Sequence, residues 1–199
     1  MKLITIFLLI SFSGAINANF DDAYGHLKQK EYIKASKEFK PLAEQGHVPS
    51  QMNLGWMHHK GLGVEQNYET AIKWYEMAAN QDNEDAQHTL GNLYRNGEGK
   101  KNAVTKDLNK AMYYYKKASD NGFPYSMFTI GAMYEKGEGV DKSVKNAAKW
   151  FKKTYEHNSI QKKILGIWDS FRIDFLLDNY KDIHYKYRLL AYKSLDLEG

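Results

Sequence analysis

Adjacent histidines at positions 58 and 59, two of seven in the chain, are the first residues to raise a question of chemistry. Two imidazoles share a metal ion readily when they stand one helical turn apart; immediate neighbours on a helix diverge by about 100° and do not. The sequence contains no His-Glu-x-x-His, no cysteine–histidine cluster and no Gly-x-Ser-x-Gly. Three Gly-x-Gly turns, Gly61/Gly63, Gly97/Gly99 and Gly137/Gly139, invite a phosphate-cradling reading. None runs on into Gly-Lys-Ser/Thr or joins a strand to a helix, so that reading is weak. Glu84 and Asp85 precede a helix and read as charge compensation at its N-terminus, not as an acid/base pair. The residues therefore predict a protein that is not an enzyme, with no catalytic residue, no metal site and no cofactor.

What the glycines share is their placement. Leu54-Gly55, Leu90-Gly91 and Ile130-Gly131 each lead, six residues on, into one of the Gly-x-Gly turns. A second signature follows each turn: Ala71 and Trp74, then Ala111 and Tyr114, then Ala147 and Trp150. The period is 36 residues and then 40, a length that signals stacked helix pairs. In that setting the turn glycines take positive φ and let the second helix fold back on the first. The alanines let helices approach, and the rings at 74, 114 and 150 are expected to fill the space between pairs. Repeat two carries four extra residues between Gly99 and Ala111, a stretch that includes Lys100, Lys101 and Lys106, and the insertion must bulge as a loop and offer a contact site.

Aligned copies divide the first helix into two faces. With the leucine column at zero and about 100° per residue, Ser50/Ala86/Ser126, Leu54/Leu90/Ile130, Gly55/Gly91/Gly131, Met57/Leu93/Met133 and His58/Tyr94/Tyr134 share one arc. That arc is small, apolar or aromatic throughout and is the packing face. Opposite it lie columns that differ in every copy: Met52/His88/Phe128, Trp56/Asn92/Ala132 and His59/Arg95/Glu135. Packing would have made them alike, so they are expected to face solvent or a partner. Trp56 is the strongest candidate anchor, since indole offers a large apolar area with one donor.

The termini carry separate signals. Lys2, the apolar run from Leu3 to Phe12 and the small residues after it predict a cleaved secretory leader over 1–18, cut after Ala15 or Ala18. Ten apolar residues fall short of the roughly 20 that span a bilayer, so no stable membrane insertion is expected after cleavage. Without cysteine there is no disulfide, and packing supplies the stability. Beyond the leader 27 basic side chains face 24 acidic ones, and the excess sits between Phe123 and Lys163. In an exported repeat protein that patch reads as a solvated face, with no nucleic-acid partner. After Ser159 the Gly-x-Gly signature stops, and two apolar stripes beginning at Ile164 and Ile183 predict helices that close the array.

The repeat resembles the Sel-one-like repeat (SLR) family, relatives of the tetratricopeptide repeats. The pattern A-x-x-x-L-G-x-x-Y-x-x-G-x-G-V, a spacer, then A-x-x-W-Y-x-x-A-A, is best kept from Ser126 to Phe151 and nearly complete from Ser50 to Ala79. Departures are His58 for tyrosine, Lys100 where the other copies have Val64 and Val140, and Tyr114 for tryptophan. A half-repeat with Ala35, Phe39, Leu42, Ala43 and Gly46 precedes the full copies and contains a helix-interrupting Pro41. The resemblance implies an all-α fold, an α/α superhelical solenoid of antiparallel helix pairs that binds proteins and has no common catalytic residues. The expected organisation is a leader over 1–18, an N-terminal cap over 19–48, repeats over 49–82, 83–122 and 123–158, and C-terminal capping helices over 159–199. The expected function is a non-catalytic, periplasmic or secreted module that holds a protein partner in its groove. Specific forms are a periplasmic immunity protein that neutralises a lipase-type toxic effector, an envelope scaffold or a host-directed virulence factor. A hydrolase of cell-wall or β-lactam substrates is the rival class.

Overall fold

The computed structural model describes residues 20–99 and 104–165, apart from the side chains of Tyr155 and of 158–165. The expected leader, the insertion lysines Lys100 and Lys101 and most of the expected C-terminal cap lie outside those residues. Within them the chain is all-α, of the repeat-solenoid class. A helix over 20–28 (α1) is followed by α2 (Tyr32–Glu44), α3 (Val48–Lys60), α4 (Tyr68–Ala79), α5 (Glu84–Asn96), α6 (Leu108–Asp120), α7 (Pro124–Lys136) and α8 (Val144–Leu165).

Each helix start and stop has a local cause. Asn67, Asn83 and Asp107 accept the backbone N–H three residues on, at 2.9, 2.8 and 2.9 Å, and so cap α4, α5 and α6. Proline opens α3 and α7, where its missing N–H has no intrahelical partner to lose. Gly61 and Gly137 close the same two helices with φ of 69° and 72°, a left-handed geometry in which any Cβ is strained. Glu84 and Asp85 form the first turn of α5 rather than preceding it, and burial followed by the nearby Glu84 charge raises the Asp85 carboxyl. The helix α2 runs through Pro41, at the loss of one backbone donor.

The second glycine of each Gly-x-Gly turn departs from its expected role. Gly63, Gly99 and Gly139 do take positive φ, at 69°, 94° and 71°. Two of them, however, make room for the helix before the turn's own pair, not for the helix that follows. A Cβ on Gly63 would collide with the backbone of Tyr32 at the start of α2, and one on Gly139 would meet Leu108 Cβ at 2.5 Å at the start of α6. These glycines admit the preceding pair. Gly99 is exposed and belongs to the widened turn of repeat two, so the three are not one equivalent column.

The chain forms two compact units, up to Lys106 and from Asp107. In the first, α2 packs on α3, α3 on α4 and α4 on α5; in the second, α7 packs on α6 and on α8. The division runs through repeat two, whose first helix belongs to one unit and whose second opens the other. Residues 20–44 hold a helix pair, α1 and α2, and α8 runs unbroken from Val144 to Leu165.

Leu54-Gly55 acquires its physical reason in the first unit. A Cβ on Gly55 would meet Tyr75 Cε1 at 2.6 Å, and in the second unit a Cβ on Gly131 would meet Phe151 Cε1 at 2.7 Å. The glycine is the seat for a ring from the following helix. That ring is Tyr75 or Phe151, both buried like Tyr115 of the same column, and not the neighbouring column expected from the sequence. Trp74, Tyr114 and Trp150 are only half-buried. The alanines at 71, 78, 111, 118 and 147 are wholly enclosed, as are Ala35, Phe39 and Ala43 of the earliest pair.

Candidate binding surface

The discordant columns do not form one exposed face. In α3, Met52 is half-buried and Trp56 is 38% exposed. His59, expected beside them, is buried: its Nε2 donates to Glu98 Oε2 at 2.7 Å, and its ring lies 5.4 Å from that of Tyr68. Angle around α3 puts His59 on the outer side, but the turn after α5 folds over the last turn of α3 and covers it. In α5, His88, Asn92 and Arg95 are half-buried, and each is held in intramolecular interactions. Burial pushes the His88 imidazole down to about 4.

In the second unit the expectation fails for two residues. Phe128 packs on Phe151 with ring centroids 5.2 Å apart, and Ala132 lies against the same core of Ala147, Ala148 and Phe151. Both serve packing. Glu135 is half-buried and interacts within the protein. Trp56 is thus the one large apolar side chain among the nine candidates that reaches the exposed class, with Met52 one turn before it on the same face.

Two buried glutamines escaped the sequence reading. Gln51 Nε2 donates to the Ala43 carbonyl and Gln87 Nε2 to the Ala79 carbonyl, both at 3.0 Å, clasping each first helix to the end of the helix before it. Gln51 Oε1 also accepts from Gln81 Nε2 at 2.9 Å. The signal was present: about 60° from the leucine column, both fall inside the packing arc, and polarity alone hid them. Glu98 was missed too. Besides holding His59, its charge adds to burial in raising the Tyr75 phenol.

The inserted turn of repeat two is closed by a bridge between Glu98 and Val104, with N···O distances of 3.1 and 2.7 Å. Gly97 takes φ 66° and ψ 127°, unlike the left-handed Gly61 and Gly137, because the chain must open to admit the extra residues. Val104 is buried by the closure. Among the described residues no group of three or more His, Asp or Glu side chains is placed to hold a metal ion. No described helix is long and apolar enough to cross a membrane.

Helix pairs repeated at 36–40 residues, with Gly55 and Gly131 each seating a ring from the next helix, define an α/α repeat protein. The Sel1 repeat model matches residues 48–83, 84–123 and 124–159, more than half of the chain, and the protein belongs to that family. Among curated proteins, the rat DAP3-binding cell death enhancer 1 is 41% identical over 61 residues, 31% of this chain and 12% of its own length. A crystal structure of a protective antigen of uropathogenic Escherichia coli with an SLR fold is 27% identical, with a TM-score of 0.65 over 74% of this chain and 32% of that one. A Sel1 repeat protein from Oxalobacter formigenes is 30% identical, with a TM-score of 0.55 over 63% of this chain and 49% of that one. The chain spans about a tenth of the length of the curated relatives it matches.

Proposed function

We propose that the protein is an exported, non-catalytic interaction module that grips a protein partner through the outer face of α3. The observation that carries this reading is Trp56. An indole left 38% exposed, one turn from Met52, stands where the equivalent helices have Asn92 and Ala132. An apolar anchor that the fold does not require is what a binding hot spot needs. Support comes from a curated relative named for binding another protein and from a similar structure described as a protective antigen. The leader-like sequence over 1–18 and that antigen together favour the periplasm or the exterior. The specific role we favour is immunity against a lipase-type effector in the periplasm, because a single exposed indole that the other copies lack, on a frame that stays constant, suits recognition of one dedicated partner.

Tagged mature protein should capture one dominant partner from envelope extracts, and Met52→Ala with Trp56→Ala should abolish capture. The melting temperature should fall by less than about 2 °C, since both side chains lie outside the core. Undiminished capture by the double variant would place the partner elsewhere. For the immunity role, cells receiving a periplasmic lipase effector from a competitor should survive with the wild-type protein and die with the double variant. Turnover of nitrocefin or peptidoglycan by the purified protein would overturn the non-catalytic reading.

A further inference from the structure

We propose that the first unit carries a second recognition site, a cleft of about 470 Å³ between α2, α3 and α4 that accepts an acidic peptide segment bearing one large apolar side chain. The inference rests on reading the chain as a protein-binding module, but it uses a different face from Trp56. Leu54, Val64 and Trp74 supply the apolar part of the lining. Protein interiors are close-packed, so a half-buried indole bordering an open cleft leaves contact area unused. A ring from an occupant could stack there in offset or edge-on geometry.

Charge selects the occupant. Lys37 and Lys40 line the cleft from α2, three residues apart and so on one face of that helix. Neither forms an ion pair with any other described residue, and no aspartate or glutamate is among the lining residues. His58 completes the wall, its Nδ1 donating to the Glu65 carbonyl at 3.3 Å. Two cations beside an apolar floor complement a carboxylate next to an aromatic or aliphatic side chain, and they disfavour a basic segment.

The test follows the four tryptophan indole N–H resonances of the full mature chain, with that of Trp74 assigned from Trp74→Phe. The probe is the blocked peptide acetyl-Asp-Glu-Phe-Asp-Glu-amide, compared with acetyl-Lys-Lys-Phe-Lys-Lys-amide and with sodium acetate. The Trp74 resonance should move saturably with the acidic peptide alone, equally so in Trp56→Ala. The double reversal Lys37→Glu, Lys40→Glu should weaken binding by about tenfold or more, and added salt should weaken it in the wild type. A Trp74 resonance that is unmoved at millimolar peptide refutes the site. So does an equal response to the basic peptide, an equal response to acetate, or an affinity indifferent to the double reversal. A Trp74 resonance unmoved by the acidic peptide, alongside partner capture that needs Trp56, sinks this site while leaving the proposed function standing.

Discussion

An alanine at Gly55 would set its Cβ 2.6 Å from Tyr75 Cε1, well inside van der Waals contact, so either the ring or the helix must move. Gly55→Ala should therefore cost about 1–3 kcal/mol in urea unfolding, although alanine is the better helix former. In a Tyr75→Val background the same substitution should cost little or even stabilise, because the ring that forbids the methyl group is gone. Equal costs in both backgrounds would refute the seat. His88 makes a second prediction. Its imidazole, pushed down to about 4 by burial, lies below the unfolded value of roughly 6.5, so the unfolded chain binds the proton more readily. The stability this contributes is present above about pH 6.5 and is lost as pH falls towards 4, by up to about 3 kcal/mol. His88→Gln should flatten that acid limb of the stability profile, and a limb of unchanged slope would count against it.

Helices here are held at their ends as much as along their faces. Asn83 caps α5 through Ala86 N–H, so Asn83→Ala should cost about 0.5–2 kcal/mol while Asn83→Asp should cost much less. The glutamine clasp is weaker than its burial suggests. The Ala79 carbonyl also accepts from Asp82 N–H at 3.2 Å, so Gln87→Met leaves it one partner and should cost only about 1 kcal/mol. Met127 stands at the equivalent place in α7, which supports a modest figure. A loss above about 3 kcal/mol would mean that the amide has a larger role. The helices themselves were legible, since the Gly-x-Gly turns, the caps and the apolar columns are local features that act within a few residues. What the second turn glycine meets was not, because Tyr32 and Leu108 lie about thirty residues before Gly63 and Gly139. The ring that enters the core was hidden as well. Columns 74 and 75 are both aromatic in every copy, and periodicity does not say which of two adjacent rings faces the preceding helix.

For the whole molecule, the proposed leader predicts that a periplasmic extract of expressing cells contains a mature form beginning at Ile16 or Asn19, read by intact mass. A protein retaining Met1 in the cytoplasm would refute export. Fold class followed from the sequence alone, because a repeat copies its own core: positions alike in three helices must meet alike neighbours, whatever those neighbours are. Recognition did not follow in the same way. Angle around a single helix placed Trp56, His59, Phe128 and Ala132 together on the outside, yet burial belongs to stacking between helices. The turn after α5 closes over His59 and α8 takes in Phe128 and Ala132, while Trp56 alone among these four reaches the exposed class. Which discordant residues remain free to meet a partner was decided only by the tertiary structure, since solvent exposure depends on residues distant in the chain that no local period records.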